Sequence, residues 1–289
     1  MSDETAGVGG NRAEMFRITV SMAVVCALGA MVLGAVFVWT DRYQREASLE
    51  GEKTAVVQLL HLKPSASVVE LRQFLAPARR QVVYRAQAFG QESGAASQIV
   101  FTLEGGLVSR AEVPAGGNEK ADKAAGLQPL GRIFVARDGG QPAGFVVEGV
   151  SQGYKNKIRF LVALDQGFEV LGVRVVEHEE DPGLGAEVAT KVFQAQYAGR
   201  SAGEIAATDV TRDPMPEDWR GALAALQRMP QAQWQEEYGT LRAREKTRPI
   251  YAVTGATISS RALTDGVRST VGHFRRRWQL LEPYLGGGS

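Results

Sequence analysis

Apolar positions along this chain follow three patterns in succession: an unbroken run, a strand alternation and a helical stripe. The run is Ile18 to Thr40, residues 18–40 without a charge. At about 1.5 Å rise per residue it is long enough to cross a hydrocarbon core of about 30 Å. Arg12 and Arg17 precede it, and Asp41, Arg42 and Arg45 follow. Trp39 and Tyr43 stand where interfacial aromatics belong. A cleaved signal peptide is the competing reading, but the run is long for such a segment and no small-x-small site follows it. Val25 before Cys26 is a poor lipoprotein signal. The pattern predicts an uncleaved transmembrane anchor over 17–40, behind a Gly- and charge-rich disordered segment over 1–16. The flanking charges do not set its orientation.

Downstream, Val56, Leu59 and Leu60, then Val69, Leu71, Phe74 and Leu75, recur at helical spacing. They predict helices over 53–88, broken at Pro64 and Pro77, with Ser67 and Glu70 as a capping box. Residues 99–113 read as strand-turn-strand about Gly105-Gly106, and 114–129 as a loop. Hairpins follow over 133–150, about Asp138-Gly139-Gly140, and over 157–178, about Asp165-Gln166-Gly167. Alternation such as Ile158/Phe160/Val162 implies half-buried antiparallel strands. Residues 189–245 are polar and helical, with loops at Asp209–Glu217 and Met229-Pro230; Ala222, Leu223, Leu226 and Met229 form a core stripe. Leu263, Val267, Val271, Phe274 and Trp278 predict a last helix packed on one face, its Arg275-Arg276-Arg277 end solvated. The fold class is α+β.

Composition narrows the chemistry. A net charge of +1 over 289 residues provides no basic field, so no nucleic-acid partner is expected. One cysteine, Cys26, excludes an intramolecular disulfide and a Cys-ligated cluster or zinc site within the chain. His61, His178 and His273 show no ligand spacing, so no metal is expected.

Two stretches carry candidate chemistry. Tyr251 to Ser260 is a short apolar run, then Thr254-Gly255-Ala256-Thr257, then Ser259 and Ser260 at the start of a helix. Free N–H groups, the helix dipole and clustered hydroxyls suit an anionic group. The same residues read equally as an N-cap cluster that binds nothing. The second stretch is His178 to Gly185. Gly183-Leu184-Gly185 begins a dinucleotide-like fingerprint, but Val188 holds the third glycine position and the flanking strands are antiparallel. A turn with fixed Pro182 and two glycines, able to approach a flat ligand, fits better. The acidic run Glu177, Glu179, Glu180 and Asp181 reads as a solvated loop in preference to an acid/base site.

In order, these are an anchor, Gly153-Tyr154-Lys155 before a strand, the His178–Gly185 loop, and Thr254-Gly255-Ala256-Thr257 opening a C-terminal helix. So arranged, the chain resembles, over roughly residues 15–280, the FMN-binding subunit family of membrane ion-translocating oxidoreductases. That family includes the G subunit of Rnf complexes and the C subunit of Na⁺-translocating NADH:quinone reductase. The resemblance implies an antiparallel-sheet FMN-binding domain over 99–280 with flanking helices, after a helical linker and the start of the soluble domain over 41–98. It implies FMN bound covalently as a phosphoester on Thr257, attached by a separate flavin transferase using FAD. Thr254, Gly255, Ala256, Ser259 and Ser260 would surround the phosphate; Glu180, Asp181, Gly183, Leu184 and Gly185 would meet the ring.

It further implies an electron-relay subunit among other membrane subunits of a redox-driven ion pump. The anchor would cross the bacterial inner membrane once, with the domain on the extracytoplasmic side. No residue of the chain is expected to be catalytic, and a single span without intramembrane charge offers no ion path. The Ile258-Ser259-Ser260 continuation leans toward the Rnf type. The alternatives are the quinone-reductase C subunit, another membrane-anchored flavin carrier, or an unflavinylated assembly module. Two residues depart from the family pattern. Tyr251 stands where the transferase target is often acidic, and Asp181 where the loop usually has Thr. An anion beside the ring disfavours a reduced anionic flavin and lowers its potential. Residues 286–289, Gly286-Gly287-Gly288-Ser289, read as a linker outside the functional chain.

Overall fold

The computed structural model describes residues 7–60, 66–91, 93–116, 119–226 and 228–285. His61, Pro64, residues 1–6 and the linker at 286–289 lie outside the described residues, as do the side chains of Arg12, Trp39, Asp41, Arg42, Tyr43 and Arg45. The chain divides into two units, Met1–Glu52 and Lys53–Ser289. The first is helical: α1 runs Gly7–Leu59, so helix begins inside the segment expected to be disordered. Its described side chains from Met15 to Thr40 are exposed. Among the described residues no helix is long and apolar enough to cross a membrane, so the anchor at 17–40 rests on the sequence pattern.

The second unit departs from expectation at its start. Residues expected as helix form two strands, β1 (Ser67–Ala76) and β2 (Gln81–Ala88), joined by a tight turn through Pro77 with Arg80 at φ 52°. The reason is burial on both faces. Val69, Leu71 and Leu75 point to one core cluster, while Val68, Phe74 and Ala76 point to others. A strand covered on both sides loses its alternation and mimics helical spacing. The expected capping box does not form, since Glu70 sits mid-strand and accepts from Arg72 Nε at 3.1 Å.

Strands β3 (Ala95–Thr102) and β4 (Leu107–Pro114) follow, then a short helix α2 (Glu119–Ala124) inside the expected loop. Next come β5 (Gln128–Asp138), β6 (Gln141–Gln152), β7 (Lys157–Leu164) and β8 (Val170–Glu177). The hairpins expected about Gly105, Gly139 and Gly167 all form. The eight strands make one antiparallel sheet in the order β4-β3-β2-β1-β5-β6-β7-β8. Because β1 is central, the sheet starts at Ser67, and a boundary at 99 would cut through it.

Helices α3 (Lys191–Ala195), α4 (Ala202–Ala207), α5 (Glu217–Ala225) and α6 (Gln231–Glu245) complete the helical stretch. The expected Asp209–Glu217 loop contains β9 (Val210–Thr211), which pairs in parallel with β10 (Ile250–Tyr251). The last helix, α7 (Thr257–Leu285), lays Leu263, Val267, Val271, Phe274 and Trp278 on the sheet against Phe145, Val147, Phe160 and Val162. Phe145 and Trp278 ring centres are 4.4 Å apart. This packing anchors α7 from its second turn onward and leaves its N-terminus at the end of β6, β7 and β8.

Candidate functional site

The approach to α7 is held from behind. Tyr251 donates its N–H to Gln196 Oε1 at 2.9 Å, and its carbonyl accepts from Gln196 Nε2 at 3.2 Å. Its hydroxyl donates to Glu245 Oε2 at 2.9 Å, and the ring packs with Trp219 and Trp234. Tyr251 therefore faces the helical layer, away from the exposed Thr254 and Gly255. Gly255 takes φ 79°, which a side chain resists, and lies against Leu184. Ser260 N–H donates to the Ala256 carbonyl at 3.0 Å, which makes Ala256 the N-cap of α7. Alanine has no side-chain acceptor. The N–H groups of Thr257, Ile258 and Ser259 thus start the helix without intrahelical partners or an N-cap side chain to receive them.

Two loops face this helix start. In the turn between β6 and β7, Gly153 N–H donates to the Asn156 carbonyl at 2.8 Å. After β8, Leu184 and Ala186 N–H groups both donate to the Asp181 carbonyl, closing the Pro182-Gly183-Leu184-Gly185 loop before a 3₁₀ turn. Gly183 takes φ 73°. Together the two loops and α7 enclose a cleft of about 420 Å³. Leu184, Ile258 and Tyr154 give it exposed apolar surface, at 48%, 59% and 69% exposure.

The acidic run is not a solvated loop throughout. Glu180 is buried at 5% exposure. Its carboxylate accepts the backbone N–H groups of Tyr154, Lys155 and Asn156 at 3.3, 2.9 and 3.4 Å, and the Ser259 hydroxyl. Burial pushes this carboxyl up, but the Ser259 hydroxyl and the three N–H groups outweigh it and hold it below the usual carboxylate range. Gly153 and Gly185 flank the carboxylate so closely that a Cβ on either would run into it. Asp181 is half-buried and pairs with Lys155 Nζ at 2.8 Å. Glu177 and Glu179 are exposed, as expected, and engage Arg159 and Asn156.

Of the expected site residues, Thr257, Gly255, Ala256, Ser259, Glu180, Asp181, Leu184 and Gly185 line one cleft. Thr254, Gly183 and Ser260 do not. Ser260 is fully buried: its hydroxyl donates to the Ala256 carbonyl at 2.9 Å and accepts from Val253 N–H at 3.0 Å. Neither Ser260 nor Ser259, held by Glu180, has its hydroxyl free for a phosphate. Tyr154 and Ile258 line the cleft without having been expected there; the Gly153-Tyr154-Lys155 motif was the available signal for the first. A larger cleft of about 610 Å³ lies beneath Arg72, Arg132 and Arg159 and contains none of these residues.

The stretch from Gly153 to the middle of α7 spans the whole cleft, and it is this stretch, residues 153–272, that matches the FMN-binding domain family. Over those residues the chain is similar to FMN-binding domains. The resemblance drawn from the two motifs holds. Over 138 residues the chain is 29% identical to the G subunit of the proton-translocating ferredoxin:NAD(+) oxidoreductase complex of Clostridium ljungdahlii, covering 48% of this chain and 57% of that one. It is 26% identical over 163 residues to the G subunit of the Na(+)-translocating ferredoxin:NAD(+) oxidoreductase complex of Acetobacterium woodii, covering 55% and 64%. The chain thus spans less than two thirds of the length of these curated relatives. The crystal structure of Shewanella oneidensis NqrC is 20% identical, covers 54% of this chain and 64% of its own, and superposes with a TM-score of 0.39, a likeness too low to carry an argument.

The residues present fit FMN on chemical grounds. The cleft joins an uncapped helix N-terminus, suited to a phosphate, to the apolar faces of Leu184, Ile258 and Tyr154, suited to a flat ring.

Proposed function

We propose that this chain holds FMN covalently on Thr257 and relays electrons within a membrane-bound, Rnf-type redox complex. One observation carries the reading. The residues similar to an FMN-binding domain close on a cleft in which the half-exposed Thr257 stands at a helix start whose N-cap is alanine. Maturation would use FAD and a flavin transferase. The Thr257 hydroxyl would take the FMN half of FAD as a phosphoester, with the pyrophosphate bond broken, AMP as the leaving group and the hydroxyl proton released. The N–H groups of Thr257, Ile258 and Ser259 then serve the remaining phosphate charge. Bound FMN supplies the electron-accepting chemistry; the chain supplies position, apolar cover from Leu184 and Ile258, and the local field.

Residues 17–40 serve as a single membrane anchor in this reading. Phe16, Leu33 and Phe37 are more than 70% exposed, an apolar surface a bilayer would cover. The domain would lie on the extracytoplasmic side of the bacterial inner membrane, with other membrane subunits as partners and ion translocation left to them. The relatives' names, both of subunits in ion-translocating complexes, support the reading of other subunits as partners. Fluorescence of the denatured band in a gel, with a mass addition matching FMN, tests the attachment. Both signals should be lost in Thr257→Ala; a flavin that stays on this variant would place the bond elsewhere.

A further inference from the structure

Three consecutive acids hold the same turn. Asn156 Nδ2 donates to Glu179 at 2.6 Å, and Lys155 Nζ donates to Asp181 at 2.8 Å. Between them, the backbone N–H groups of the turn converge on Glu180. Glu180 is the buried member, and it is the one that also reaches α7, through the Ser259 hydroxyl. A single carboxylate therefore touches all three segments that wall the cleft. A buried carboxylate is expensive unless every lone pair is used, and an apolar residue would join the segments at less cost. What an apolar residue could not do is fix the rotation of α7 at a named hydroxyl. Ser259 is that hydroxyl, two positions after Thr257.

We infer that Glu180 is the positioning residue for flavin attachment, an inference that rests on Thr257 being the attachment point. By binding Ser259 it sets the first turn of α7 so that Thr257 faces the cleft. The same bond withdraws the Ser259 hydroxyl from competition. Ser260 is withdrawn by the Ala256 carbonyl, and Thr254 lies outside the cleft. The clamp is made entirely of groups of this chain. Gly153 and Gly185 belong to it, because each leaves the room its carboxylate occupies.

The test uses the full chain, expressed with and without its flavin transferase, as wild type, Glu180→Gln and Ser259→Ala. Amide hydrogen exchange is read on the unmodified protein, and bound FMN is read by mass over a time course of transferase and FAD. Glu180→Gln should speed exchange at Tyr154–Asn156 and at Ser260, the first hydrogen-bonded amide of α7, and slow attachment by up to about 100-fold, the scale of a reacting group misplaced by about 1 Å. Ser259→Ala leaves the carboxylate its three backbone donors. It should speed exchange at Ser260 alone and still slow attachment. Attachment at the wild-type rate in Ser259→Ala overturns the proposal, and this variant decides the matter if Glu180→Gln does not fold. Flavin retained by Thr257→Ala would instead strike at the attachment point, and flavin moved to Ser259 in that variant would overturn the clamp.

Discussion

At the scale of single residues, the cleft rim carries one salt bridge with a testable electrical role. Asp181 alone would lower the flavin potential, but Lys155 Nζ sits 2.8 Å from it. Asp181 holds the Lys155 ammonium above its ordinary range. The pair thus presents a weak dipole, and its two members should act with opposite sign. Asp181→Thr leaves an unpaired cation and should raise the midpoint; Lys155→Met leaves an unpaired anion and should lower it. Both side chains are about half exposed, so shifts on the order of tens of millivolts are expected, shrinking with salt. Potentiometric titration checks this, and equal shifts of one sign would remove the electrostatic account. Asp181 was legible as a charge near the ring, but its partner was not. The same holds for Glu180, whose donors lie 24 to 26 positions upstream and are backbone groups that sequence does not display. A residue whose value depends on three N–H groups folded back onto it reads in sequence as another solvated acid.

At the scale of elements, the start of α7 combines a strong helix with a weak cap. Alanine at the N-cap forgoes about 0.5–2 kcal/mol relative to serine. Ala256→Ser should therefore stabilise the unmodified domain by roughly 1 kcal/mol in denaturant unfolding. It should also slow flavin attachment, because the new hydroxyl takes N–H groups the phosphate would use. Stabilisation without slower attachment would mean that those donors are not part of the phosphate site. This element was legible because α7 is amphipathic, with Leu263, Val267, Val271, Phe274 and Trp278 on one buried face. The hairpins from β3 to β8 were legible through their glycine turns. Strands β1 and β2 were not: their apolar residues serve cores on both faces, and only pairing with β2 and β5 reveals β1 as a strand.

At the scale of the whole chain, the sheet domain and the N-terminal helix make separate demands. The domain's core is closed by α7 over the sheet, whereas the described apolar residues of α1 from Phe16 to Phe37 are open. If a bilayer covers them, the full chain should stay with membranes through alkaline carbonate extraction. A charge in the middle of the span is the discriminating change. Leu28→Arg should release a large fraction of the chain, since such a substitution costs about 2.5–3.5 kcal/mol on insertion scales. Flavin attachment to the released protein should persist, because every wall of the cleft lies beyond residue 152. A chain washed from wild-type membranes by carbonate would make α1 a peripheral or partner-bound helix. Its link to the redox complex would then rest on protein contacts alone.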